Sequence, residues 1–194
     1  MKISQAIKIF SSSNKALFTL GDIKKLLFIK KDNTAYKLIQ RLIKNGILKK
    51  LTKGKYHFLL KDITDLQLAN FLYFPSYISL ETALNLHGAL IQTPYEITSL
   101  TPLRNKTIKI DQRSFVYLHI SPKLYFGFQK EKDFLIATPG KALFDELYFI
   151  SKGIRSLSLD ELDLSSINLK ELLPMAKNIK NPKLKRLVKE VIKL

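Results

Sequence analysis

The chain has 194 residues, 46% of them hydrophobic and none of them cysteine, which excludes a disordered tail, a disulfide scaffold and a thiolate metal site. No stretch approaches the roughly 18 apolar residues of a membrane span, and the first ten residues lack the apolar run of a signal peptide. We therefore expect a globular protein that acts in the cytoplasm, away from membranes.

The net charge of +17 is unevenly distributed along the chain. Residues 1–60 carry 14 basic and two acidic side chains, whereas residues 61–150 carry nine of each. Residues 151–194 carry ten basic and five acidic side chains. A neutral centre beside a strongly basic beginning predicts a polyanion partner for the first 60 residues, because lysines release counterions when they meet phosphates.

The first 60 residues predict three helices followed by a hairpin. Apolar residues at helical spacing place the first helix over residues 2–11. Thr19 and Asp22 form a box-like start for the second helix. Asn33 or Thr34 is expected to cap the third, which runs to Asn45 before a terminating glycine.

The third helix is predicted to be amphipathic. Its apolar stripe comprises Ala35, Leu38, Ile39 and Leu42, and its opposite face carries Lys37, Gln40, Arg41 and Lys44. Residues 47–51 and 55–59 then alternate as strands around a turn at 52–54, with Lys49, Lys50, Lys53 and Lys55 near the tip.

This order of elements predicts a winged helix-turn-helix, whose third helix enters the major groove while the hairpin reaches phosphates. Arg41 and Gln40 are the expected base readers, through bidentate bonds to guanine and adenine. The competing interpretation of the hairpin lysines is that they only protect an exposed sheet edge.

The composition changes at Lys61-Asp62, which predicts domains over residues 1–61 and 62–194. In the second domain we expect a helix at 65–74, a second helix that starts at Leu80 with Ser79 as its cap, and a third that starts at Pro139. Five short strands lie between the second and third of these helices, and two C-terminal helices are separated at Asn181-Pro182. The predicted strands are ITSLT, TIKI, FVYLHI, LYFGF and FLIAT. The expected class is therefore α+β, with a winged helix followed by a mixed α/β domain.

Two segments of the second domain resemble the AbiEi family of type IV antitoxins. They are PSYISLETALNLHGAL at Pro75–Leu90 and IATPGKALFDELYF at Ile136–Phe149, the latter with Gly140 where the family usually has glutamate. The resemblance spans about residues 5–150. It implies a regulator that binds inverted repeats in its own promoter and opposes a nucleotidyltransferase toxin, without necessarily touching it.

The remaining side chains predict no enzyme, cofactor or metal site. His57, His87 and His119 lie in separate elements, and no phosphate-binding loop or nucleophile elbow is present. Lys141 and Asp145 are predicted to form an ion pair on a helix surface, and Tyr77 is expected to be structural rather than functional. A basic C-terminal tail could extend the DNA footprint or be a solvated helix face. The alternative functions are a stand-alone regulator that senses a ligand or protein, and an enzyme accessory tethered by its winged helix.

Overall fold

A computed structural model describes residues 2–157, 161–177 and 179–193 of the chain. The chain divides into two compact units, Met1–Leu72 and Tyr73–Leu194. The division lies eleven residues beyond the boundary expected from composition, so the helix after Asp62 belongs to the first unit. The mixed α+β class predicted from the sequence is confirmed.

The described part of the first unit, residues 2–72, contains four helices and three short strands. In chain order they are α1 (Ile3–Ser12), β1 (Leu17–Thr19), α2 (Leu20–Leu26), α3 (Asp32–Lys44), β2 (Leu48–Thr52), β3 (Lys55–Phe58) and α4 (Asp65–Leu72). The strands form an antiparallel sheet in the order β1-β3-β2. β1 was not predicted, because three residues carry little pattern of their own and depend on β3 for pairing.

Helix starts in this unit confirm one prediction and correct another. The Thr19 side chain accepts the Asp22 amide, and the Asp22 carboxylate accepts the Thr19 amide at 2.8 Å, so the predicted capping box is present. The prediction for α3 was wrong: the helix begins at Asp32, and Lys31 stands at its N-cap position without a side-chain hydrogen bond. Asp32 precedes both predicted caps, and its carboxylate near the amino end complements the helix dipole.

The core of the first unit is aromatic at its centre. The Phe10 ring lies 5.0 Å from that of Phe18 and 5.4 Å from that of Phe58, so α1, β1 and β3 meet there. The α3 side chains Leu38, Ile39 and Leu42 belong to the same buried cluster. Burial of this apolar surface fixes which face of α3 remains outside.

The second unit is built around a six-stranded mixed sheet in the order β6-β7-β5-β4-β9-β8. Pairs β5–β7 and β4–β9 are parallel, and the others are antiparallel. The strands are β4 (Tyr77–Ile78), β5 (Ile97–Thr101), β6 (Lys106–Ile110), β7 (Arg113–His119), β8 (Phe128–Glu131) and β9 (Phe134–Ala137). Its helices are α5 (Leu80–Leu86), α6 (Pro139–Ser151), α7 (Leu172–Lys177) and α8 (Pro182–Ile192).

Four of the five predicted strands of this unit are present, and one prediction was wrong. Residues 124–128 do not form a strand; a 3-10 turn spans Pro122–Leu124, and β8 begins only at Phe128. The central strand β4 was missed, since it has two residues and pairs with partners far along the chain. α6 is buried around its whole circumference, which makes it the central helix of the unit.

None of the helices in the described part of the chain has the length and apolar character needed to cross a membrane.

Candidate nucleic-acid interface

Helix α3 presents a polar face to solvent. Ala35, Leu38, Ile39 and Leu42 are buried, as the sequence predicted. The side chains Lys37, Gln40, Arg41 and Lys44 are all exposed on the other side. Three cations and one amide, all accessible, therefore lie along one helix of 13 residues.

The hairpin β2–β3 adds a second set of lysines. Lys50 and Lys53 are exposed, and Lys49 is half-buried. Gly54 takes a φ of +72° in the tight turn, a conformation that favours glycine. Its carbonyl accepts the Leu20 amide at 2.8 Å, which fixes the hairpin tip against the start of α2.

Lys55 behaves differently from the other predicted phosphate contacts. Its ammonium donates to the carbonyl oxygens of Phe71 at 2.6 Å and Leu72 at 2.8 Å, and lies 5.2 Å from the Phe71 ring centre. These carbonyls end α4, where a cation satisfies acceptors that have no partner within the helix. The sequence could not show this role, because both acceptors are backbone atoms 16 and 17 residues away.

The two acidic residues of the first 60 are both paired with lysines. Lys15 lies 3.4 Å from the Asp22 carboxylate, and Lys24 forms an ion pair with Asp32. Partial burial alone would raise the pKa of Asp22, but bonds from the Thr19 hydroxyl and amide, with the Lys15 charge, lower it below its ordinary value. Both carboxylates are thus locally compensated, so the lysines of α3 and β2 determine the sign of the charge on this face.

The second unit contains a fully buried polar network that joins the two segments quoted above. The Asp145 carboxylate accepts the Tyr77 hydroxyl at 2.9 Å and the Ser79 hydroxyl at 2.8 Å. Lys141 forms an ion pair with the same carboxylate and lies 3.1 Å from the Tyr77 oxygen. All four side chains have no solvent exposure.

Two predictions about these residues were wrong. The Lys141–Asp145 pair exists but lies in the core and not on a helix surface. Ser79 makes no side-chain cap for α5, because its hydroxyl is bonded to Asp145 instead. An available signal was the composition of α6, which has apolar residues on every side of the helix. A helix of this kind is buried, and its charged residues are buried with it.

The electrostatics of the network follow from its burial. Loss of hydration raises the pKa of Asp145 and lowers that of Lys141, while their mutual attraction opposes both shifts. Burial and the neighbouring carboxylate also raise the pKa of the Tyr77 hydroxyl. Serine, lysine and tyrosine can act in acid–base chemistry, but a substrate has no access to side chains that are fully enclosed. The network therefore holds β4 against α6.

The other polar groups singled out from the sequence are engaged in backbone or ion-pair contacts. The rings of His57, His87 and His119 each donate to a different backbone carbonyl. Glu146 is buried beside Asp145, and Arg155 binds it at 2.8 Å while also pairing with Glu81 at 2.6 Å. Within residues 2–157, 161–177 and 179–193, no group of three acidic or histidine side chains is arranged to hold a metal ion.

At Gly140, a Cβ atom would lie 2.9 Å from a carboxylate oxygen at the end of the Glu171 side chain. Glu171 is exposed and flexible, so a small movement of its side chain would make room for a larger residue.

No known family model matches this chain. A search of curated proteins also gives no match. The resemblance to the AbiEi antitoxins is therefore carried by the quoted segments alone.

Proposed function

We propose that the protein is a DNA-binding transcriptional regulator whose first unit acts as a winged helix-turn-helix. The observation that carries the proposal is the exposed polar face of α3, with Lys37, Gln40, Arg41 and Lys44 all accessible. The order α1-β1-α2-α3-β2-β3, with β3 between β1 and β2, supports it. A recognition helix followed by a basic hairpin is the arrangement that reads a major groove and its flanking phosphates.

The contacts divide into two kinds. Arg41 and Gln40 reach base edges, where a guanidinium matches guanine and an amide matches adenine. Lys37 and Lys44 on α3, with Lys49, Lys50 and Lys53 on the hairpin, meet phosphates that fix the orientation of the protein. Lys55 is left out of this set because its ammonium is bound to the end of α4.

The second unit supplies the argument for an antitoxin. The segments that resemble the AbiEi family contribute Tyr77 and Ser79 on one side, and Lys141 and Asp145 on the other, to a single network. Two motifs that meet in one core are expected to be parts of one inherited domain. We accordingly propose autorepression at inverted repeats in its own promoter and opposition to a nucleotidyltransferase toxin, with no enzymatic activity of its own.

Fluorescence anisotropy with the DNA upstream of its own gene, beside a scrambled duplex of equal length, tests the proposal. The full chain should bind the native duplex more tightly. Arg41→Ala should reduce that preference by about 1–3 kcal/mol, the value of one bidentate base contact. Arg104→Ala removes an exposed arginine of the second unit, outside the basic C-terminal tail, and is the control, which should leave the preference unchanged.

A salt titration separates DNA contact from simple protection of a sheet edge. Lys50→Gln with Lys53→Gln should flatten the slope of log K against log salt by about 1.8 units, at roughly 0.9 per phosphate. Lys109→Gln with Lys130→Gln is the matched control, since both lysines are exposed on the edge strands β6 and β8. Equal slopes for both double variants would exclude the hairpin from the interface, and equal affinity for both duplexes would exclude sequence-specific regulation.

A further inference from the structure

The second unit contains a cavity of about 650 Å³ between the turn at Pro122–Leu124, helix α6 and helix α7. Cavities that bind small molecules in proteins are generally of about this size, roughly 300–1,000 Å³. The residues that line this cavity belong to the second unit, whereas the residues assigned to DNA all belong to the first.

Apolar side chains form most of its wall. Leu124 and Tyr148 are buried behind the surface, and Met175 and Phe126 lie closer to solvent. Phe126 is 38% exposed and lines the cavity, so its aromatic ring is accessible to a ligand. Methionine adapts its shape to irregular ligands, and an exposed ring offers a stacking surface. The wall is therefore suited to a flat apolar group.

Two lysines give the cavity its charge. Lys123 and Lys180 belong to the lining, which contains no acidic residue. The described part of the chain gives neither ammonium a carboxylate or a hydrogen-bond acceptor. A second cavity of this unit differs in this respect, because its arginine and lysine share the lining with Glu81 and Glu161. Of these two cavities, the first therefore has positive charge that a ligand could neutralise.

We propose that this cavity binds a small organic carboxylate with an aromatic body. The carboxylate pairs with Lys123 and Lys180, and the ring packs on Phe126, Met175 and Tyr148. Charge-assisted bonds of this kind are stronger than bonds between neutral groups. A carboxylate is expected to be preferred over a neutral amide of the same shape.

The wall of the cavity also touches the buried network. The Lys141 ammonium lies 5.0 Å from the centre of the Phe126 ring, on the inner side of the residue that faces the ligand. A ligand packed against Phe126 restricts the ring that covers Lys141. Binding should therefore raise the melting temperature of the second unit, as for any ligand specific to the folded state.

The test uses 2-naphthoate and 2-naphthamide, which share a ring system and differ in charge. Isothermal titration of the full chain should show at least about tenfold tighter binding of the acid, as expected for a charge-assisted bond. Lys123→Gln with Lys180→Gln should abolish this preference, and Phe126→Ala should weaken both probes. The matched control is Lys177→Gln with Lys185→Gln, two exposed lysines that line a different groove, between α7 and α8.

Three results would overturn the proposal: no binding of the acid at millimolar concentration, equal binding of acid and amide, or loss of preference in the Lys177 and Lys185 variant. Circular dichroism of each variant checks that it is folded, and the charge-neutral replacements leave the buried wall intact. Each of these outcomes leaves the DNA-binding proposal unaffected, since that proposal assigns DNA contacts to residues of the first unit and none to the residues that line this cavity.

Discussion

Replacing Asp145 with asparagine should destabilise the second unit strongly. The substitution keeps the shape of the side chain and one acceptor for the hydroxyls of Tyr77 and Ser79, but removes the negative charge. Lys141, which has no solvent exposure, then has no counterion. Removing one partner of a buried ion pair costs about 3–5 kcal/mol, a large share of the roughly 5–15 kcal/mol that stabilises a typical domain.

The chain provides a matched control at the same helical spacing. Arg186 and Glu190 form an i,i+4 pair at 3.5 Å on α8, with side chains 71% and 55% exposed. Solvent screens that pair, so Glu190→Gln should cost no more than about 0.5 kcal/mol. The comparison isolates burial, because the spacing and the types of charge are alike.

Urea unfolding, followed by near-ultraviolet circular dichroism of the tyrosines, measures both losses, since the chain contains no tryptophan. The double variant Lys141→Met with Asp145→Asn should recover at least half of the stability lost in Asp145→Asn, because the pair then leaves no unpaired charge in the core. Stability of the single variant should also rise from neutral to alkaline pH. Burial lowers the pKa of Lys141, and without Asp145 nothing in the pair opposes that shift, so deprotonation relieves the folded state.

A loss below about 1 kcal/mol for Asp145→Asn would show that Lys141 reaches water or another acceptor once its partner is gone. A double variant as unstable as the single one would show that the hydrogen bonds from Tyr77 and Ser79 matter more than the charge. Either result would refute the reasoning from burial.

The remaining predictions start from changes in the first unit. Thr19→Ala removes the α2 cap and should cost about 1 kcal/mol. The pKa of Asp22 is lower in the folded state than in the unfolded state, so its carboxylate stabilises the fold above the unfolded pKa, and this stability is lost as pH falls through the folded pKa. Asp22→Asn should therefore lose less stability in acid than the native chain, and an equal fall in melting temperature for both proteins between pH 7 and pH 2 would contradict this. Lys55→Gln should lower the melting temperature and leave the salt dependence of DNA binding unchanged. Lys53→Gln should flatten that salt dependence and leave the melting temperature unchanged. A changed salt slope in the Lys55 variant would show that Lys55 contacts DNA. Under the proposed function, Arg41→Ala should abolish repression of a promoter reporter but still protect cells that express the proposed nucleotidyltransferase toxin from a foreign promoter. Loss of both functions in a normally folded variant would contradict separate roles for the two units.

Local features of the chain were predictable from its sequence. The apolar stripe of α3 and the Thr19–Asp22 box depend on residues within one or two helical turns, so their spacing alone specifies them. The same holds for β5, whose five predicted residues match the structure. The spacing of apolar residues shows which face of a helix or strand is buried, whichever element packs against that face.

Features that depend on distant partners were missed or assigned another role. Ser79 was predicted as a cap because serine often is one, but Asp145, 66 residues later, accepts its hydroxyl. The spacing of Lys141 and Asp145 predicts an ion pair, but it does not show that the rest of the unit buries this pair. Lys55 was predicted to contact phosphate because it lies near the tip of the hairpin, whereas the structure shows its ammonium bound to carbonyls at the end of α4. In each case the role of the side chain depends on residues far along the chain, which the neighbouring sequence does not reveal.

The placement of β4 between β5 and β9 has a consequence for the order in which the protein folds. The contacts that hold β4 against α6 join residues 66 and 68 positions apart, as in Ser79–Asp145 and Tyr77–Asp145. Closing such long loops costs chain entropy before any contact forms, and non-local topologies fold slowly. The first unit instead forms its hairpin across the tight turn at Lys53–Gly54. During synthesis on a ribosome, the first unit would therefore emerge and fold early. β4 would gain its parallel neighbour β9 and its polar partners on α6 only after those elements have been synthesised.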